Sequence, residues 1–290
     1  MSLRAKFNLA IITALLIGYA GAGLLLHSLF VANARAAVLE NAQVMMSAAN
    51  AMQAYIDQQI VPVAGFESNG NFLTANVPFY AARTMFAGVR AQFPDYALAE
   101  VALNPTNPSD RPEDWQADII NAFRNDPSLT QFIGVRTTIT GTWLNLAQPI
   151  TVNDPNCLAC HFSPAEAPAS MVRAYGADNG FGWKLRETVG AQIVSVPMAL
   201  PLAKASTAFT TFMSTLALIF LLILAILNLL LDFLVIKPAV RLAAMANAVS
   251  LGEGNVPEYQ APGRDEIASL SASFNRMRRS LDAALNMLTR

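Results

Sequence analysis

Cys157-Leu158-Ala159-Cys160-His161 holds both cysteines of the 290-residue chain and one of its two histidines. How this pentapeptide is read decides where the rest of the chain must lie and what it folds around. Two thiols three positions apart can each form a thioether with one of the two vinyl groups on a porphyrin edge. The histidine that follows is then placed under the iron as its proximal ligand. Three other readings compete. A thioredoxin-type pair calls for a βαβ setting and no trailing histidine, whereas Cys157 sits in a Pro- and Asn-rich stretch. A structural zinc needs four ligands, and the second histidine, His27, lies in an apolar segment. A disulfide between the two cysteines leaves His161 without a role. Haem attachment uses all three residues, so the expected cofactor is one covalent haem c on Cys157 and Cys160, with His161 on the iron.

Thioethers of this kind are made outside the cytoplasm, so the motif must be placed there. Residues 9–30 form an apolar run without a charged side chain, and residues 209–236 form a second, interrupted only by Asn228 and Asp232. Each exceeds the roughly 20 residues that cross a bilayer. Arg4 and Lys6 precede the first run, and Lys237 and Arg241 follow the second. Both flanks favour the cytoplasm. The reading is a bacterial inner-membrane protein with residues 1–8 inside, spans at 9–30 and 209–236, a periplasmic segment between them, and residues 237–290 inside. The first run is too long for a signal peptide and lacks a small-residue cleavage site, so it reads as a retained anchor. The 54% hydrophobic content and mean hydropathy of +0.38 follow from the two spans. A net charge of −1 offers no footprint for nucleic acid.

Ala10, Ala14, Gly18 and Ala22 recur every fourth residue along the first span. Such a row lets a helix approach closely, either in a second copy or in the second span. Beyond it, residues 31–60 read as a helical linker. Val31, Val38, Met45 and Met52 fall seven apart, with Ala42, Ala49 and Ile56 completing a heptad seam, and Pro62 ends the helix.

Residues 61–208 read as a mixed domain of helices and strands. A helical stretch opens at Asn76-Val77-Pro78 and runs to about Phe93. Trp115 to Phe123 reads as an amphipathic helix with Asp114 as N-cap. Strands are expected over 96–103, 132–139, 142–147 and 189–197, with Gly141 at a hairpin. Tyr175 to Trp183 is a glycine-rich loop. Its backbone can lie close to a flat group such as a porphyrin, with Phe181 or Trp183 against it; an ordinary surface turn is the other reading.

After the second span, Lys237-Pro238 begins a short helix with Leu242, Met245 and Val249 inward, and Gly252-Glu253-Gly254-Asn255 breaks it. A second helix from Asp265 carries Ile267, Leu270, Phe274, Met277, Leu281, Ala284 and Leu288 at alternating three and four spacing, a coiled-coil seam. With Pro238, Asp265-Glu266-Ile267 and Phe274-Asn275-Arg276-Met277, this part closely resembles a HAMP domain. Ala268 stands where that family usually has glycine, a change a helix tolerates. The resemblance implies a parallel homodimer.

The external segment carries Phe79 to Arg83, Asn104-Pro105-Thr106-Asn107-Pro108, Trp115 to Ile120, Ala147 to Ile150, Cys157 to His161, Gly180 to Leu185 and Val189 to Pro197. With these blocks it resembles the Tll0287-like haem domain family. The resemblance implies an α+β, PAS-like fold, an antiparallel sheet with flanking helices, carrying one covalent c-type haem ahead of HAMP. Members can supply a distal iron ligand, including a cysteine, from the helix before the core. Both cysteines here are committed to thioethers, so a methionine thioether is the substitute. Met52 is the first choice among Met45, Met46, Met52 and Met85, against an open iron site and the remote His27. Arg83 and Lys184 lie in matching blocks and are the candidates to pair with the haem propionates, with Arg90, Arg136 and Arg173 also outside.

The expected function is a membrane haem sensor, in which redox change or gas ligation at the iron is passed through HAMP to a separate signalling partner. The chain stops at Arg290 without a kinase, cyclase or chemotaxis module. That favours the alternative, a membrane-anchored cytochrome passing electrons to a redox partner or serving as an accessory subunit. One haem and no further histidine leave no acid–base machinery beside the iron, so enzyme activity is not expected.

Overall fold

The computed structural model describes residues 2–253, 256–261 and 263–288, with the side chains of 285, 286 and 288 outside the described set. Contacts divide the chain into two units, residues 27–208 and residues 1–26 with 209–290. The elements in order are α1 (Leu3–Tyr55), a π turn (Ile56–Ile60), α2 (Val61–Ala64), β1 (Glu67–Ser68), β2 (Asn71–Phe72), α3 (Pro78–Gln92) and β3 (Ala97–Ala102). There follow α4 (Asp114–Asn125), β4 (Phe132–Thr138), β5 (Gly141–Thr151), α5 (Leu158–His161), α6 (Ala169–Tyr175) and β6 (Thr188–Pro197). The chain continues as α7 (Ala199–Leu231), a second π turn (Asp232–Ile236), α8 (Lys237–Ser250) and α9 (Glu266–Leu288).

Residues 27–208 are built on a four-stranded antiparallel sheet in the order β3-β6-β5-β4. The β-branched, alternating runs make these strands, and the register sets Leu146 opposite Val194 and Ala147 opposite Ile193. Alternation then sends successive residues to opposite faces. On one face Leu144, Leu146, Val194, Val196 and Met198 pack with Val38, Ala42 and Met46 of α1. On the other, Val101, Ala147, Ala191 and Ile193 pack with Ile119, Ile120 and Phe123 of α4. Strands β3 and β6 lie so close that a Cβ on Gly190 would meet the Val101 carbonyl at 2.1 Å.

The expected heptad seam is therefore an intramolecular stripe. Ala34, Val38, Ala42, Met46, Ala49 and Ile56 are buried, and Val38, Ala42 and Met46 among them pack on this chain's own sheet. A spacing of three to four residues serves a sheet face as well as a coiled coil. Pro62 does not end the helical stretch either. A π turn precedes it and places it in the first turn of α2, where its missing N–H goes unnoticed. The stretch ends at Gly65. Helix α4 is capped one residue earlier than expected, by Glu113 in a reciprocal capping box with Gln116. The hairpin β1–β2 and helix α6 carry no strong sequence pattern.

The second unit contains the apolar part of α1 and most of α7, which belong to two helices long and apolar enough to cross a membrane. Within it, Tyr19 donates to the Met213 carbonyl at 3.5 Å and meets Phe220 edge-on at 6.3 Å. Of the small-residue row, Ala10, Ala14 and Gly18 stay exposed and Ala22 is half-buried. In α8, Leu242 and Met245 are buried as expected and Val249 is half-buried. Buried Ser271 and Asn275 of α9 hold the connector through the Tyr259 carbonyl, while Leu270, Met277 and Leu281 are exposed. Gly254 and Asn255 of the connector and the Leu288 side chain lie outside the described residues.

Candidate functional site

The motif is helical. The Asp154 carboxylate accepts from the Asn156 N–H at 2.8 Å and starts a 3-10 turn, Pro155–Cys157, that runs directly into α5. One helical turn then brings Cys157, Cys160 and His161 to one side, because residues three and four apart are neighbours on a helix. Both thiols are free and half-buried.

The imidazole of His161 is held on three sides. Its Nδ1 lies 2.7 Å from the Gly180 carbonyl and 3.4 Å from Thr106 Oγ1. Trp183 stacks on its face at 3.8 Å, with 9° between the planes. The glycine loop is zipped to the motif by Gly182 N–H to the Phe162 carbonyl, 3.0 Å, and Trp183 N–H to the His161 carbonyl, 3.2 Å. Asn104, after β3, accepts from Gly180 N–H at 3.3 Å and donates to the Phe181 carbonyl. Gly180 has φ +84°, and a Cβ there would sit 2.0 Å from Thr106 Oγ1 and 2.7 Å from Thr106 Cα. Only glycine fits.

A carbonyl facing Nδ1 assigns the proton to that nitrogen and leaves the Nε2 lone pair for a metal. Burial holds the His161 pKa below its usual value, and the Gly180 bond opposes this more weakly. The imidazole is therefore the neutral, ligating form at neutral pH. Burial also raises both thiols, reinforced by Asp154 and Asp57 at Cys157 and by Cys157 and Glu67 at Cys160. A redox-active Cys-x-x-Cys pair works through a lowered thiol pKa, which this environment does not create. Among the described residues, no group of three or more His, Cys, Asp or Glu side chains is placed to hold a metal ion by itself. Two unbridged thiols, a neutral imidazole with Nε2 available and a cradle that excludes any Cβ fit a covalently attached haem.

A family model described as Tll0287-like matches residues 31–197, more than half of the chain. The chain belongs to the Tll0287-like family. A HAMP domain model matches residues 234–283. The chain is also similar to the crystal structure of the cyanobacterial heme-protein Tll0287, at 20% identity and a TM-score of 0.43, over 55% of this chain and 94% of that one. A comparison with curated proteins finds no match. With its two apolar helices and a HAMP domain, this is a membrane protein.

Within the Tll0287-like domain, the expected site residues are distributed unevenly. Trp183 stacks on the imidazole of His161. Phe181 is half-buried and joined to Asn104 through its carbonyl. Arg83 is already paired with Asp110 and lies over the Tyr80 ring at 5.7 Å, so its charge has an anionic partner. Lys184 is exposed, its backbone N–H donating to Glu187 at 3.1 Å. On α1, Met46 is consumed by the core and Met45 packs against it, while Met52 and, on α3, Met85 are half-buried. Thr106 and the Gly180 carbonyl escaped the sequence reading as contacts of His161. Their traces in the sequence are the Pro-flanked Asn104-Pro105-Thr106 run and the glycine-rich loop that holds Gly180.

Proposed function

We propose that residues 61–208, entered through the helix 31–60, form a periplasmic, PAS-like domain carrying one covalent haem c, and that the protein is a redox or gas sensor of the bacterial inner membrane. The observation that carries this is the His161 imidazole, with Nδ1 on the Gly180 carbonyl at 2.7 Å and Nε2 left to bind iron beside two unbridged thiols. Cys157 and Cys160 would each add S–H across a vinyl group, the sulfur bonding one carbon and the hydrogen going to the other. His161 would ligate the iron, and Trp183 would keep its ring from rotating. Bound there, the haem would supply one-electron redox chemistry or diatomic-gas ligation. Met52 would be a second ligand of the iron, and Lys184, Arg83 and Phe181 would surround the propionates and ring.

Lys and Arg flanking both spans support the assigned orientation. The exposed apolar row Leu270, Met277 and Leu281, on a helix whose Ser271 and Asn275 are already occupied, supports a HAMP homodimer that transmits the state of the external domain to a separate partner. The test is the purified full chain, produced with a cytochrome c maturation system. Haem that survives a denaturing gel in the parent and is lost when Cys157 and Cys160 become Ser is the expected result. A haem-free parent overturns the proposal. A reduced spectrum altered promptly by CO or NO favours gas sensing, and an indifferent one favours redox sensing.

A further inference from the structure

Below the apolar layer of α1, the helix is tied to the sheet by polar side chains. Asn50 donates to Gln148 of β5 at 3.1 Å. One turn on, Gln53 Nε2 donates to Glu100 Oε1 of β3 at 2.8 Å and to Gln192 Oε1 of β6 at 3.2 Å. Glu100 and Gln192 are 9% and 4% exposed. The Gln192 Nε2 group is buried without an acceptor. Three residues after Gln53 the helix widens into its π turn, a feature frequent at functional sites. This is an uncommon place for a carboxyl. Asp and Glu are almost never so buried unless paired, and here the hydrogen-bond partner is a neutral amide. The charged groups that face Glu100 are Arg83 of α3 and Asp110 of the following turn, which bond each other and oppose one another's effect on it.

We infer that Glu100 is a proton-binding site and that its proton latches the end of α1, at Gln53, onto the sheet. With the proton bound, the carboxyl and two amides form a neutral cluster beneath the helix. With it lost, a carboxylate stands in a site where only amide hydrogens and a shared guanidinium face it. Water must then reach it, and the route is detachment of the last turn of α1. The helix that detaches is the one whose earlier part forms the first apolar span, so proton loss is an input to the same element that would carry a haem signal. This inference does not rest on the haem reading.

Burial raises the carboxyl from its ordinary 4.5 to about 8 in the attached state, with Gln53 and Arg83 opposing and Asp110 assisting. In the detached state it returns to water. Detachment therefore releases a proton between those two values, and its equilibrium constant rises about tenfold for each pH unit up to about 8, then levels off. Hydrogen exchange of the purified full chain, followed by mass spectrometry over pH 5 to 9, reads this directly. Peptides covering residues 50–60 should speed up by about two decades per pH unit below 8, one from base catalysis and one from the latch, and by about one decade above it. Glu100→Gln keeps the shape and removes the titration, so it should show one decade per unit throughout. Glu100→Asp should retain the break at a displaced pH. A parent slope of one decade across the range, or an unchanged break in Glu100→Gln, overturns the inference.

Discussion

Replacing Gly180 by Ala is the sharpest perturbation of the site. The added Cβ meets Thr106 at backbone as well as side-chain atoms, 2.7 Å from Cα and 2.0 Å from Oγ1, so rotation of the Thr106 side chain cannot relieve it. Three costs combine. A left-handed backbone at φ +84° costs an alanine about 1 kcal/mol. Overpacking against Thr106 costs about 1–3 kcal/mol. The loop must also withdraw its carbonyl from His161, losing a hydrogen bond worth about 1 kcal/mol. The total is about 3–5 kcal/mol, well above the about 1 kcal/mol of an average substitution. Gly182→Ala is the internal control, because it sits at φ +80° in the same loop with nothing within 4 Å of the added carbon. It should cost only the backbone term. Thermal unfolding of the haem-loaded full chain in detergent, followed by circular dichroism, should place Gly180→Ala about 10 °C below the parent and Gly182→Ala about 3 °C below. The iron spectrum should change only in Gly180→Ala, since His161 loses its orienting carbonyl. Equal melting points for the two variants would refute the argument.

Other outcomes follow from the same contacts. Met46→Ala removes a side chain that is 1% exposed between α1 and β5–β6, and should cost about 2–5 kcal/mol in denaturant unfolding without altering the haem spectrum. Because the folded pKa of Glu100 is raised, its contribution to stability is fully present below pH 4.5 and lost as pH rises to about 8. At about 1.4 kcal/mol per tenfold change in proton affinity, the loss approaches an upper limit of about 5 kcal/mol, and Glu100→Gln should remove that part of the pH dependence of unfolding. Leu281→Cys, on the exposed α9 row, should cross-link between copies in membranes, and recovery of monomers alone would contradict the HAMP homodimer.

Local spacing carried a great deal of this protein. Two runs long enough to cross a bilayer, the alternation in 132–139 and 189–197, the three-four rhythm of α9 and the Cys-x-x-Cys-His run are all properties of neighbouring residues, and each is legible without a fold. What the sequence could not decide is which surface a pattern meets. The stripe Val38, Ala42 and Met46 satisfies a coiled coil and a sheet face equally, and only the presence of Leu146 and Val194 beneath it settles the choice. Trp183 has a flat face for a porphyrin or for an imidazole, and the loop geometry gives it to His161. Glu100 reads as an ordinary polar residue of a strand until Gln53, 47 positions earlier, closes over it. Gly180 stands 19 positions and Thr106 55 positions from His161, the partner they share, so their roles exist only once the chain has folded. A residue's period along the chain is set by backbone geometry, but its environment is set by chain segments that local pattern does not connect.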